Sequence, residues 1–261
     1  MGFFVYRYLR ILLCNFAIMR WFCILIISST IFSQESHSIN LVSDFSGRII
    51  TTNNGISLIP TFSLGEPALL FNLSLGKKKL TFDPELHFSL EGKPWSMLFW
   101  WRYKMAQRDN FSMRIGINPN FSYRTIDTYN NGISKNLIET RRFLAGEVEP
   151  IYSVSKNFKV GMYYLYAFGF DDSSKHTNFL VFNTFFPSIP ISKKINLEIF
   201  PNIYYLKMDE LEGYYFSSSF RLTKKNSPFS FESIINKIID SEILPETNFD
   251  WNVSLVYSFI D

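Results

Sequence analysis

The sequence predicts an all-β protein, an antiparallel transmembrane β-barrel of about twelve strands. Three observations carry that expectation. From Leu80 to Phe259 the chain repeats short stretches in which apolar and polar side chains alternate, separated by polar breaks. A period of two places the two kinds on opposite faces of a sheet. No intervening stretch offers a second layer to cover the apolar faces. A closed barrel with apolar side chains in lipid and charges inside is then the economical solution. Composition agrees: aromatics reach 18%, with 28 Phe and 14 Tyr, yet mean hydropathy is only +0.03. A helical membrane protein needs spans of ~20 apolar residues, and none follows Phe32.

Three segments follow in order. Residues 1–33 read as a signal peptide: Arg7, Arg10 and Arg20, no acidic residue, an apolar run from Trp21 to Ile27, and small residues up to a cleavage position at Ser33. Met19 is an alternative start, because Arg20 then opens directly onto the apolar run. Residues 34–55 are expected to be a periplasmic lead-in, or a partial extra strand at Gly47–Thr52, and residues 56–261 the barrel. The three signal arginines account for the formal +3 that separates 26 Lys+Arg from 23 Asp+Glu. The remainder is neutral and gives no basic footprint for nucleic acid. Both cysteines, Cys14 and Cys23, also lie in the signal. Disulfides and thiolate metal sites are thereby excluded from the mature chain.

The strands are expected at 56–64, 68–76, 79–90, 95–106, 111–123, 140–154, 157–170, 177–188, 194–207, 213–223, 228–239 and 248–259. The third is the clearest: Leu80, Phe82, Pro84, Leu86, Phe88 and Leu90 alternate with Thr81, Asp83, Glu85, His87, Ser89 and Glu91. Every second connection is short and mostly basic, as in Gly76-Lys77-Lys78-Lys79, Ser155-Lys156-Asn157 and Ser192-Lys193-Lys194. The intervening ones include the long Thr125–Glu139. Short turns at one end and longer loops at the other is the arrangement of membrane barrels. Two features resist it. Pro60, Pro84, Pro119, Pro150, Pro187 and Pro201 fall inside proposed strands, where each removes a ladder donor; a layer of bulges, or a soluble sandwich with many edges, would accommodate them. Residues Phe229–Ile243 also have helix-like spacing, which admits an interfacial helix or a plug.

At the end of the chain Phe249, Trp251, Val253, Leu255, Tyr257 and Phe259 alternate with Asp250, Asn252, Ser254, Val256 and Ser258. This stretch resembles the closing strand of Gram-negative outer-membrane β-barrel proteins, from which it departs by adding Ile260-Asp261. The resemblance implies an outer-membrane location, outer-membrane lipid as surroundings, and recognition by the barrel-insertion machinery through Trp251–Phe259. It supplies no activity.

On this register the lumen-lining candidates are Asp83, Glu85, His87, Arg102, Lys104, Arg114, Asn118, Arg141, Glu147, Glu149 and Glu198. Hairpin counting sets Asp83 opposite Arg102 and Arg102 opposite Arg114, neighbours close enough to interact. Such charges either satisfy one another inside a filled barrel or line a path for small polar or ionic solutes. Trp95, Trp101, Tyr103, Trp251 and Tyr257 are candidates for an outward aromatic girdle at the membrane interfaces. His87-Phe88-Ser89 resembles the His–x–Ser pair of outer-membrane phospholipases and lipid A deacylases, and is the one pointer to an enzyme. The histidines His37, His87 and His176 are too dispersed for a metal site, and no cofactor is expected. The expected function is an outer-membrane barrel, a narrow porin for an unspecified solute or a structural barrel. A secreted β-sandwich or lipocalin-like binder is the alternative.

Overall fold

The computed structural model describes residues 43–130, 133–171, 173–243 and 248–260. The expected signal peptide and the Met19 start lie outside them. The wall is built from β1 (Asp44–Thr52), β2 (Ala68–Lys77), β3 (Leu80–Ser89), β4 (Pro94–Gln107), β5 (Phe111–Asn130), β6 (Ile133–Ser155) and β7 (Phe158–Gly169). It continues through β8 (His176–Pro190), β9 (Ile195–Met208), β10 (Leu211–Lys224), β11 (Phe229–Ser241), β12 (Phe249–Trp251) and β13 (Ser254–Ile260). Each strand pairs antiparallel with the next, and β12 and β13 both pair with β11 as two segments of one wall strand. β13 returns to β1, from Ser46↔Ile260 to Thr52↔Ser254. The result is a closed barrel of twelve strands, in which the first and last wall strands are joined rather than left as sheet edges.

The two faces sort as alternation dictates. Outward side chains such as Ile117, Phe182, Ile203, Phe231 and Leu255 are large, apolar and exposed. Inward ones such as Asn118, Thr177, Ser217 and Tyr215 are fully buried. A lipocalin or sandwich would bury its apolar faces together; the structure does the reverse, and that alternative is overturned.

Three expected elements are corrected. The extra strand expected at Gly47–Thr52 is present and reaches back to Asp44, so residues 44–52 belong to the wall rather than to a lead-in, with Arg48 and Ile50 facing inward. Residues 56–64 are not a wall strand. They form a strap that turns into the lumen through a 3-10 turn at Pro60–Phe62. Its neck is pinned by Leu64 N–H donating to the Gly55 carbonyl (2.8 Å) and Gly55 N–H to the Glu66 carbonyl (2.8 Å). Residues 125–130 and 133–139 continue β5 and β6 as one paired ribbon, from Arg124↔Glu139 to Asn130↔Ile133. Residues 229–241 form wall strand β11, so the helix-like spacing there is not realised.

The prolines correct the expected layer of bulges. Pro84, Pro119, Pro150 and Pro201 keep a paired rung on one side and fall in a gap of the ladder on the other. Only Pro187 sits at a register shift, between Phe186 and Ile189. A missing N–H on one side of the strand costs one ladder, not two. At the Pro119 gap the Phe99 N–H donates instead to Asn118 Oδ1 (2.7 Å), and at the Pro201 gap the Pro201 carbonyl accepts from Thr184 Oγ1 (2.9 Å).

Candidate functional site

The lumen has a charged half toward the short turns and a packed half toward the loops. The charged half begins with β4–β6, where Arg102 and Glu147 both pair with Gly116 from opposite sides. Gly116 is what lets them meet, because a Cβ there would lie 2.9 Å from Glu147 Cγ. Arg102 Nε donates to Glu147 Oε1 (2.8 Å), and its Nη1 to Asp83 Oδ2 (3.0 Å). Arg114 contacts the same Glu147 oxygen (3.3 Å) and Glu149 Oε2 (2.6 Å). Ser74 and Tyr163 hydroxyls donate to Asp83 (2.6 Å) and Glu147 (2.9 Å). Glu147 has no exposed side-chain surface, and its charge is balanced entirely by protein groups.

A second network crosses the closing seam. Arg221 on β10 contacts Glu198 on β9 (3.1 Å) and Glu232 on β11 (2.5 Å), and Glu232 also accepts from Arg48 on β1. Glu198 was the one member singled out from sequence. Arg221 and Glu232 are directly paired across their hairpin, a signal that counting from the Lys224–Ser227 turn makes available.

The register differs by two residues from the counted one. Asp83 faces Trp100 and Arg102 faces Thr81; Arg102 faces Gly116, and it is Lys104 that faces Arg114. The second offset comes from the turn, whose ladder opens at Gln107↔Ser112, and the bulge at Met105 takes one residue of it back. Arg102 still reaches Asp83 diagonally, with its guanidinium 4.6 Å above the Trp100 ring. Lys104 is exposed at the short-turn mouth. At the other mouth Arg141 pairs with Glu139 (2.8 Å). Asn118 is buried and bonded to the β4 backbone.

Trp101, Tyr103, Trp251 and Tyr257 project outward and are exposed. Trp95 does not. The β3–β4 register shifts between His87 and Phe88, which turns Trp95 inward against the strap, where it is 6% exposed. Its indole N–H donates to the Phe62 carbonyl (2.7 Å). Arg124 donates to the Thr61 carbonyl (2.6 Å), and Phe62 meets Phe143 edge-on at 5.2 Å. The strap therefore crosses the lumen from β1–β2 to β5 and β6. Behind it Leu58, Ile59 and Phe62 pack against Phe179, Tyr204, Leu206 and Met208.

Two cavities flank the strap. One of about 780 Å³ lies at the loop-side rim among Lys93, Tyr123, Arg124, Glu66 and the strap residues Thr61 and Ser63. The other, about 260 Å³, lies deeper, among Glu85, His87, Ser96, Asn118, Trp100 and Leu165. The Ser89 hydroxyl is not hydrogen-bonded to His87; it accepts the Lys93 N–H in the turn (3.3 Å). His87 instead lies 2.8 Å from Ser96 and 3.2 Å from Asn72, residues the sequence reading passed over. Among the described residues no three His, Cys, Asp or Glu side chains are placed to hold a metal ion.

No family model matches the sequence, and no curated protein matches it. Among solved structures the chain is similar to the KdgM porin, with 12% identity over 82% of this chain and 99% of that one and a TM-score of 0.51. It is also similar to the NanC porin (11% identity, 82% and 97% covered, TM-score 0.47) and to LpxR from Salmonella typhimurium (8%, 82% and 99%, TM-score 0.46). At such identities a likeness shows the fold alone. The fold is that of the outer-membrane β-barrels.

Proposed function

We propose that this chain resides in the Gram-negative outer membrane as a narrow barrel that passes small polar solutes past the strap restricting its loop-side mouth. One observation carries the reading: ionised side chains of both signs line the enclosed interior, while the exposed outer wall is apolar. That polarity fits hydrocarbon outside and water inside. Trp101, Tyr103, Trp251 and Tyr257 then sit as a girdle against outer-membrane lipid, and Trp251–Phe259 is the segment offered to the insertion machinery.

The pinned neck at Gly55, Leu64 and Glu66 supplies the test, because residues 56–63 can be excised without opening the β1–β2 connection. In planar bilayers the native chain is expected to show small conductance, and the excised variant a severalfold larger one. Arg102→Ala is expected to shift ion selectivity toward cations, since it removes a lumen cation beside Asp83 and Glu147. A silent excised barrel would overturn the solute reading. The mutual pairing of nearly all the lumen charges would then mark a structural barrel.

A further inference from the structure

The loop-side half of the lumen holds a polar set that the passage of solutes does not use. The β3–β4 hairpin places Ser96 directly across from His87, and the β2–β3 pairing places Asn72 across from Glu85. All four side chains point inward. Ser96 Oγ lies 2.8 Å from His87 Nδ1, and Asn72 Oδ1 lies 3.2 Å from His87 Nε2. Glu85 Oε2 is 3.7 Å from the same Nε2. An amide oxygen and a carboxylate are both acceptors, so Nε2 carries the ring proton. Nδ1 is left as a lone pair facing the serine hydroxyl.

A hydroxyl on a base, and that base fixed in one tautomer by a third group, is the physical requirement for an activated serine. We propose that Ser96, His87 and Asn72 form a nucleophile, a general base and a positioning residue for hydrolysis of small carboxylic esters. His87 is buried while Ser96 is partly open, and both line the deeper cavity, whose volume of about 260 Å³ is walled by Leu98, Trp100 and Leu165. That size and lining suit a short acyl chain and exclude a long one. Asn118 lines the same cavity, and because its oxygen accepts the Phe99 N–H, its NH₂ group is the donor it has left for a developing oxyanion.

In the acylation step Ser96 Oγ bonds to the acyl carbon as its proton passes to His87 Nδ1. The C–O ester bond then breaks, and the imidazolium returns the proton to the departing alkoxide, releasing an alcohol. Water attacks the acyl-serine, His87 takes its proton and gives it back to Ser96 Oγ, and a carboxylic acid leaves. Access runs from the rim cavity, which shares Phe62, Trp95 and Ser122 with the deeper one; the Phe62 ring is the partition.

The test treats the detergent-folded protein with a fluorophosphonate–biotin probe and, separately, with p-nitrophenyl butyrate. Modification mapped by mass spectrometry is expected at Ser96. Ester turnover is expected to fall by about 100-fold or more in Ser96→Ala and His87→Gln, with the heat-modifiable gel shift of the folded barrel retained. Asn72→Ala is expected to change the pH profile of kcat, and Asn72→Asp to restore it, which a merely structural role for Asn72 would not do. Phe62→Ala is expected to raise the labelling rate. Should Ser96 stay unlabelled in both the native chain and Phe62→Ala while both run as folded barrels, the proposal is overturned. Equal turnover by Ser96→Ala overturns it too, and should His87→Gln fail to fold, labelling of the native chain still decides.

Discussion

The residue on which the lumen turns is Glu147, whose carboxylate is held by Arg102, Arg114 and Tyr163 with no exposed surface of its own. Removing one partner of an enclosed ion pair leaves the others charged and unpaired, at a cost of ~3–5 kcal/mol, whereas replacing the whole set by apolar groups is close to neutral. Glu147→Ala is therefore expected to destabilise the barrel by about 3 kcal/mol in urea titrations followed by the gel shift. Glu147→Leu combined with Arg102→Met and Asp83→Leu, which removes the linked carboxylate as well, should recover most of it. Gly116→Ala should mimic the loss in part, by pushing Glu147 off Arg102. A second residue-scale expectation concerns the loop after β7. The Arg142 side chain, hydrogen-bonded to Asp171 at 2.7 Å, holds that carboxyl below the ordinary aspartate range. A depressed value stabilises the loop above the unfolded aspartate's pKa, ~3.9, and the contribution is lost as pH falls through the lower, folded value. Limited proteolysis with pepsin is expected to open this loop only at pH beneath the ordinary aspartate range, and Asp171→Asn to open it at higher pH as well. Of these partners the sequence marked Arg102, Arg114 and Glu147 as inward by alternation alone. It did not show Gly116 as the gap between them, because a close approach is a property of three strands together.

At the scale of elements, the strap shows where alternation misleads. Ile56, Leu58, Pro60, Phe62 and Leu64 repeat every second residue as a wall strand would, since any extended segment with one buried side carries that period. What separates the two is hydrogen bonding: Pro60 offers no N–H to a ladder, and the strap bonds through its flanks at Gly55 and Leu64 instead. Gly65 turns the chain back with φ +74°, a conformation glycine adopts without strain. The same limit explains Trp95, which one bulge residue transfers from the outer face to the inner. Its N–H to the Phe62 carbonyl is the strap's polar anchor on β4. Trp95→Phe keeps the ring and loses that bond, typically worth ~1 kcal/mol. Chymotrypsin cleavage at Phe62 is expected to accelerate severalfold in Trp95→Phe while the barrel still migrates as folded. An unchanged cleavage rate would show the strap held by its apolar contacts alone. The Ser96–His87–Asn72 set was hidden for a related reason: its members lie on three strands, and only the registers β2–β3 and β3–β4 bring them together.

The whole molecule depends on closure, and the closure is made where the chain's first and last strands meet. Twelve strands with alternating faces are legible from sequence, and so is the direction in which each face points. The first strand is legible only as one of two readings, at Gly47–Thr52, and its part in closing the wall is not legible, because its inward Arg48 finds its partner, Glu232, only across β13. The seam is tight at one point. Gly47 pairs with Phe259, and a Cβ on Gly47 would lie 2.4 Å from Phe259 Cζ and 2.8 Å from Leu73 Cδ2. The Phe259 ring thus lies over Gly47, beside Phe45 at 5.7 Å between centroids. An open seam would expose two strand edges to hydrocarbon, where unsatisfied backbone groups cost several kcal/mol each, so closure is expected to be all-or-none rather than gradual. Gly47→Val places a branched side chain where the ring lies, and is expected to reduce the folded, heat-modifiable fraction on refolding into detergent by more than half, whereas Gly146→Ala, whose Cβ has only a carbonyl at 3.8 Å, should leave it near the native level. Phe259→Ala added to Gly47→Val makes room for the new side chain. If that pair refolds as well as Phe259→Ala alone, the defect lies in the packing of the seam and not in the strand propensity of β1.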